Sequence, residues 1–585
     1  MNYKLTTDAQ EKKVSLWSAL RRMAPLMQGE NRNLVIVCIA ILVNSGSTLV
    51  APILIGRVVD TYIIGHDFHG VLVYSGYLFL VFLAGLLAGY VQTQTMGGVA
   101  RRILFNLRNA LFTKLQSLPV AFFNQNKSGD LISRINNDTD KLNQFFAQAL
   151  MQFLGSFFLI LGSGIFLLSL NSRLGGAALL PAVLVLLITQ LISGWVKRQN
   201  TDSLQSLGSL SAEVQESLAN FKVIVAFDRL DYFRDKFNIA NQRNYKASIG
   251  AGIANNIFTP IYGLASSVAQ LVVLTLGISF IQHGQLTIGL LIGFFLYVNN
   301  FYNPLRQLAS VWASLQQALA AFDRISEVLA LESNMQVLPS AEQKQNAPLI
   351  QFDHVSFGYP DGKQVLRDVT LSLERGKTYA LVGPTGGGKT TTASLMARLY
   401  DPTEGTVLLD GKDIRSCDPT ERGKKIGFIL QEPFLFSGSI RDNIVYGNEK
   451  YVEKSSEEML EVLKSLTLHG LLERFEKGLD TAVLASGDSI SLGQKQLIAF
   501  IRAVLREPEL LILDEATANI DTVTEQLLEE ILEKLPKATT KVIIAHRLNT
   551  IQNADEIFFV NGGEVTLAGS MENAVDLLLH GKRES

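Results

Sequence analysis

The sequence predicts a multidomain membrane protein in which a six-helix, all-α transmembrane domain with long cytoplasmic helical extensions is followed by an α/β domain of the P-loop type. Three observations carry this expectation. Six apolar stretches lie before about residue 310, an ordinary globular mixture follows, and a glycine-rich loop joins a short apolar strand to a helix at 380-ALVGPTGGGKTTTASLMARLY-400.

Hydrophobic residues form 48% of the 585-residue chain and charged residues 18%, an average over two dissimilar halves. That length suits a membrane block with one or two soluble domains. A net charge of −2 lacks the basic excess of a nucleic-acid binder. Cys38 and Cys417 fall one in each half, which argues against a disulfide framework or a zinc cluster. The first thirty residues are polar or mixed and lack a small-residue cleavage pattern, so no cleavable signal peptide is expected.

A spanning helix needs about 20 apolar residues, and the stretches 33–57, 71–95, 147–170, 174–195, 257–281 and 286–308 satisfy this. The joints DTYIIGHDFHG, NSR and QHGQ are short and nearly free of Lys and Arg, whereas the other side receives Arg21, Arg22, Arg101, Arg102, Lys197 and Arg198 among others. The positive-inside rule therefore places both termini in the cytoplasm. The segment 101-RRILFNLRNALFTKLQSL-118 keeps apolar residues at helical spacing, so helices are expected to continue beyond the membrane. Pro119 and FFNQNKSGD read as a break, after which LISRINNDTDKLNQFF resumes the helix. The expected domains are an N-terminal cytoplasmic segment with an amphipathic elbow helix over 1–32, the transmembrane domain over 33–330, a polar linker over 331–348 and a nucleotide-binding domain over 349–585.

Apart from Arg57 and Arg306 near span ends, polar residues within the spans are few and uncharged, among them Asn44, Gln270, Asn299 and Asn300. They can tie helices together or line a pathway. Phe294, Tyr297 and Tyr302 can pack or contact an apolar cargo. No Asp or Glu in the spans stands out as a proton relay, which counts against an ion-coupled transporter.

In the second half, Gly383, Gly388, Lys389 and Thr390 fit G-x-x-x-x-G-K-[ST]. The loop formed by Gly383, Pro384, Thr385, Gly386, Gly387 and Gly388 turns backbone N–H groups toward phosphate oxygens at the N-terminus of the helix that opens with Lys389, Thr390 and Thr391. Lys389 would reach the terminal phosphates and the Thr390 hydroxyl would ligate Mg²⁺. Further on, the apolar run LLIL at 510–513 leads into Asp514 and Glu515. A carboxylate at the C-terminal end of a buried strand suits the Mg²⁺ shell, and the next acid suits the task of orienting or deprotonating the water that attacks a γ-phosphate. Strand, acids and loop together predict ATP hydrolysis.

With these motifs the chain resembles the ATP-binding cassette exporters of type IV over essentially its whole length. The resemblance implies that FFNQNKSGDLISRINNDTD is the first cytoplasmic coupling segment and that Tyr359 stacks on adenine. It implies that Gln431, in FILQEPFLFSGSIRDNI, joins the Mg²⁺ site to the coupling helices, and that Ala518 to Asp521 form the D-loop. His546, in IIAHRLNTI, would contact the γ-phosphate. The signature motif, usually LSGGQ, stands as Ile490, Ser491, Leu492, Gly493 and Gln494, so a leucine replaces a glycine that lies near phosphate; Ala485 stands where many relatives carry glutamate.

In that family two cassettes close head to tail, each ATP lying between one P-loop and the other chain's signature. An intact catalytic glutamate beside an altered signature is similar to one half of heterodimeric bacterial multidrug exporters, implying a partner chain with a good signature and a weakened catalytic acid. The expected function is ATP-driven export or flipping of hydrophobic or amphipathic compounds such as drugs or lipids, in a bacterial inner membrane, with ATP and Mg²⁺ as cofactors. A homodimeric lipid or drug flippase, an ATP-gated channel or regulatory subunit, and an importer are the alternatives.

Overall fold

The structure is a computed structural model that describes residues 3–5, 24–335, 337–339, 347–360, 362–466, 468–484, 490–514, 522–544, 553–569 and 571–580. It divides into two compact units, one of residues 5–116 and 128–330, the other of 1–4, 117–127 and 331–585.

The first unit is helical. Its long elements are α1 (Asn31–Arg57), which runs on into a π-helical turn at Val58–Ile63, α2 (Phe68–Ser117), α3 (Ser128–Leu170), α4 (Ser172–Ala219), α5 (Leu230–Gln282) and α6 (Ile288–Leu329). Among the described residues, the helical stretches that contain α1 to α5 are long and apolar enough to cross a membrane. At 50 residues α2 extends about 75 Å, more than twice the hydrocarbon thickness of a bilayer. Apolar side chains also cover the outside of this unit, with Leu86, Leu191 and Leu264 67%, 83% and 70% exposed, as a lipid-facing surface requires.

Inside, the aromatic residues of α6 pack. Phe294 and Tyr297 are fully buried, Tyr297 stacks on Phe166 at 5.2 Å, its hydroxyl donates to the Leu49 carbonyl, and the Tyr302 hydroxyl donates to the Ala178 carbonyl. Gln270 donates to Asn299 across helices at 2.9 Å, so this amide pair ties α5 to α6. Toward the far end of α6, Arg134 is only 2% exposed and binds Asp130, Glu327 and the Arg324 carbonyl, while buried Asp138 pairs with Arg324 and Lys141. This network locks a π-helical turn of α3 (Arg134–Asp138) to α6. Replacing Arg134 with methionine keeps the stem volume but strands its partners, so a loss of about 3 kcal/mol is expected, the lower end of the range because Asp130 and Glu327 reach water. Thermal unfolding of the full chain in lipid should show the drop, and Arg234→Met, at an exposed pair with Asp231, should show none.

In the second unit the strands are β1 (Ile350–Gly358), β2 (Gln364–Leu373), β3 (Thr378–Val382), β4 (Glu404–Leu409), β5 (Lys412–Asp413), β6 (Ile426–Ile429), β7 (Gly438–Ser439), β8 (Ala482–Val483), β9 (Leu510–Asp514), β10 (Thr540–Ile544), β11 (Glu556–Asn561) and β12 (Glu564–Leu567). The six-stranded sheet runs β12-β11-β3-β10-β9-β6, parallel except for β12; a separate antiparallel sheet runs β2-β1-β4-β5. Alternate residues of β3 and β9 enter different cores. Ala380, Val382, Leu511 and Leu513 join Leu497 and Ile501, whereas Tyr379, Leu381, Leu510 and Ile512 join Phe352 and Leu371. Burial on both faces is why these strands read as continuous apolar runs.

One local expectation is corrected. FFNQNKSGD, read as a turn-rich break, overlaps a six-residue helix, Val120–Gln125, begun at Pro119 in extended conformation and anchored by fully buried Phe122. A helix this short is unstable alone, so tertiary packing decides it. That packing belongs to the second unit, which takes in residues 117–127. The elbow helix expected within 1–32 lies mostly outside the described residues; of its C-terminal end, Ala24–Met27 forms a single 3₁₀ turn.

Candidate functional site

The site forms at the C-terminal ends of the parallel strands in the interior of the six-stranded sheet. β3 ends at Val382 and passes into the glycine loop, which leads into helix α7 (Lys389–Met396). Gly383, Gly386 and Gly388 all take positive φ. The reason at Gly383 is visible. Its φ is +146°, and a β-carbon there would collide with the carbonyl of Val560 on the neighbouring strand β11. Gly387 rests on the same carbonyl and donates its N–H to Pro384 at 3.1 Å. Pro384, Thr385 and Gly386 are exposed at the rim, while Gly387, Gly388 and Lys389 are buried.

Lys389 is 5% exposed, and its Nζ donates to the carbonyls of Gly383 and Pro384 at 2.8 and 3.0 Å. The ammonium thus lies inside the curl of the loop, at the point where backbone N–H groups and a helix N-terminus favour an anion. Thr390 Oγ1 stands 3.3 Å from Oδ1 of Asp514, which is 2% exposed at the end of β9. Two residues 124 positions apart in sequence are therefore brought into contact by the order β3-β10-β9. A hydroxyl and a carboxylate are hard oxygen donors, and Mg²⁺ takes one or two such protein ligands, with phosphate and water completing its shell.

Of the other predicted residues, some fall on described segments and some do not. The β10 strand ends at Ile544, in register with Asp514 and Leu381. Glu515, Asp521 and His546, and also Ala485 and Ala518, lie outside the described residues. Gln431 is exposed on the loop after β6, the strand next to β9. Tyr359 follows β1; its hydroxyl shares a hydrogen bond with Thr391 at 3.1 Å, and its ring meets Phe357 and Tyr400 edge-on at 5.0 and 5.5 Å.

The signature stretch opens helix α8 (Leu492–Val504). Ser491 caps it: its hydroxyl accepts the Gln494 N–H, and the Ser491 N–H in turn donates to Gln494 Oε1, a reciprocal capping box. Gln494 also donates to the Arg474 carbonyl. Ser491 and Leu492 are exposed and Gly493 is half-buried, so the leucine presents its side chain at the helix N-terminus, 40% open.

Three participants escape motif reading. The Val560 carbonyl supports the loop through backbone alone, which leaves no side-chain signal in a sequence. Tyr400 receives a hydrogen bond from Asn124 at 2.7 Å on one side and touches Tyr359 on the other; burial pushes its phenol above the ordinary range, so it stays protonated. Arg502, on α8, donates to the carbonyls of Asn443 and Phe434 and lies over the Phe436 and Tyr446 rings. It thereby ties the signature helix to the segment that follows Gln431. Arg502 could have been sought as a cation set within the apolar run 497–504.

Residues 34–305 match the ABC transporter transmembrane region, and residues 366–518 match the ABC transporter family of nucleotide-binding domains. An uncharacterized ABC transporter ATP-binding protein, YfiC, of Bacillus subtilis (strain 168) is 32% identical over 95% of this chain and 92% of its own. A fatty acid ABC transporter ATP-binding/permease protein of Mycobacterium bovis is 33% identical over 84% of this chain and 77% of its own. A multidrug resistance ABC transporter ATP-binding and permease protein of Lactococcus lactis is 28% identical over 95% and 94%. A transmembrane region fused to a nucleotide-binding domain whose P-loop and strand-end carboxylate meet places this chain among the ABC transporters of the exporter type, as a half-transporter whose ATPase domain couples ATP hydrolysis to transport.

Proposed function

We propose that this half-transporter exports or flips hydrophobic or amphipathic compounds, drugs or lipids, across a bacterial inner membrane, with both termini and the ATPase domain in the cytoplasm. The observation that carries the reading is the interior of the helical unit. Within the spans Gln270–Asn299 and Tyr302–Ala178 are amide and hydroxyl bonds, Asp60 at the end of the first span is held by the Thr287 hydroxyl and the Gly289 N–H, and Lys389, Thr390 and Asp514 form an ATP site that supplies the energy. The names of relatives, one a fatty acid transporter and one a multidrug transporter, support the same cargo class.

In this reading the glycine loop and Lys389 hold the β- and γ-phosphates, Tyr359 takes the adenine, and Thr390, Asp514 and Gln431 hold Mg²⁺, which neutralises charge on the phosphates when bound. Glu515 orients and deprotonates the attacking water and His546 positions the γ-phosphate. Ser491, Gly493 and Gln494 serve the nucleotide of the partner chain, and Asp521 lies at the contact between cassettes. Leu492 argues for a different partner. An exposed leucine at the helix N-terminus puts bulk where phosphate approaches, so the site completed by this signature turns over slowly and the partner supplies the good signature for Glu515.

The test is transport of amphipathic dyes and labelled lipids into inside-out vesicles, with the mass of the complex taken from the native membrane. ATP-dependent uptake by a complex holding this chain and a second, different half-transporter is the expected result. Uptake by a two-copy complex of this chain alone would overturn the heterodimer, and ATP turnover without movement of any hydrophobic probe would overturn export.

A further inference from the structure

We propose that Tyr3 is a positioning residue for the coupling of ATP binding to transport. It acts as a pin that fixes the short helix Val120–Gln125 to the chain entering the nucleotide-binding unit. The proposal rests on the ATP-driven reading above only for the meaning of the coupling; the contacts themselves stand independently.

Terminal residues are ordinarily loose unless something ties them down. Tyr3 is 2% exposed, and every polar group it owns is engaged. Its backbone N–H donates to Gln125 Oε1 at 2.9 Å and its carbonyl accepts from Asn126 Nδ2 at 2.9 Å. The phenol donates to Asn334 Oδ1 at 2.7 Å and accepts the Asn334 N–H at 2.8 Å. Its ring meets Phe122 edge-on at 6.5 Å. One face of Tyr3 thus grips the short helix and the other grips Asn334, after which the Leu338 N–H fastens the chain to the Arg415 carbonyl.

The far side of the short helix completes the logic. Asn124 donates to Tyr400, Tyr400 touches Tyr359, and Tyr359 shares a bond with Thr391 next to the Mg²⁺-ligand candidate Thr390. The helix is therefore held between the nucleotide site and the Tyr3 pin. A six-residue helix has no stability of its own to resist loosening, so releasing the pin frees the helix and disconnects it from the nucleotide site without altering that site.

Two substitutions in the full chain, reconstituted in lipid, cut the pin on opposite faces. Tyr3→Phe keeps the ring and the backbone bonds but drops Asn334; Gln125→Ala drops the bond to the Tyr3 N–H but keeps Asn334. The readout is hydrogen exchange of the amides of 120–126 with and without ATP, read beside exchange of the P-loop amides and the KM for ATP. In the unsubstituted chain ATP is expected to slow exchange in both regions. Each variant is expected to raise exchange in 120–126 by about three- to tenfold and to abolish its response to ATP, with P-loop protection and KM unchanged. The double variant should match either single one, because both cut one linkage. Unchanged exchange in 120–126, or a response to ATP that survives Tyr3→Phe, overturns the pin. Failure of ATP to protect the P-loop amides in the unsubstituted chain would instead overturn the ATP-site reading.

Discussion

Substituting Lys389 with alanine is expected to abolish ATP turnover and to weaken ATP binding together. The Nζ is buried and already held by the Gly383 and Pro384 carbonyls, so it is aimed before nucleotide arrives and little is lost in ordering it. A charge-assisted contact of this kind contributes about 1.5–3 kcal/mol to binding, a ten- to hundredfold change in Kd. Because charge on the phosphates shifts further in the transition state, the loss in turnover should exceed the loss in binding, about 10²–10³-fold in kcat. Alanine also leaves the two carbonyls facing each other across a small void, which does not threaten the fold because the loop is anchored independently on Val560. Fluorescent-nucleotide titration and phosphate release on the same sample check both numbers, and a normal Kd would remove Lys389 from the binding site.

The contrasting result is expected from Glu515→Gln. The substitution preserves shape and removes the negative charge and with it the ability to accept a proton, so ATP binding should persist while turnover falls about 10²–10⁴-fold. Binding without turnover holds closed cassettes together, so the variant should trap ATP on prolonged incubation with Mg²⁺ where Lys389→Ala does not. Retention of ATP after rapid gel filtration, with phosphate release measured in parallel, distinguishes the two. Residual turnover near that of the unsubstituted chain would mean that another group takes the proton and that Glu515 has a lesser part.

What could be read from the sequence follows the distance over which each signal acts. The P-loop announces itself within one stretch, Gly383 to Thr391, because turn, phosphate cradle and helix start are covalently adjacent. Asp514 was legible because LLIL is buried on both faces, and a charge directly after such a strand needs a reason. The long helices were legible from apolar length. What could not be read is contact between distant segments. The Val560 carbonyl, the Asn124–Tyr400 bond and Tyr3 against Asn334 leave no local pattern, and the helix at Val120–Gln125 exists only because Phe122 finds a buried place. Its sequence, with Pro, Asn and Gly nearby, read correctly as a break in the long helices and gave no sign of the short helix within it.

The capping serine of α8 has a consequence for assembly. As an N-cap, Ser491 uses a lone pair to accept the Gln494 N–H, and this leaves its hydroxyl proton available to point outward. In the proposed reading, holding the helix end and meeting an incoming phosphate are therefore compatible duties for this hydroxyl. Docking a nucleotide borne by another chain need not unwind the first turn, and the energy of that encounter can go wholly into joining the two subunits. Leu492 beside it, 40% exposed, adds bulk at the same helix end, so in the proposed reading it is that side chain, and not the cap, that stands in the way.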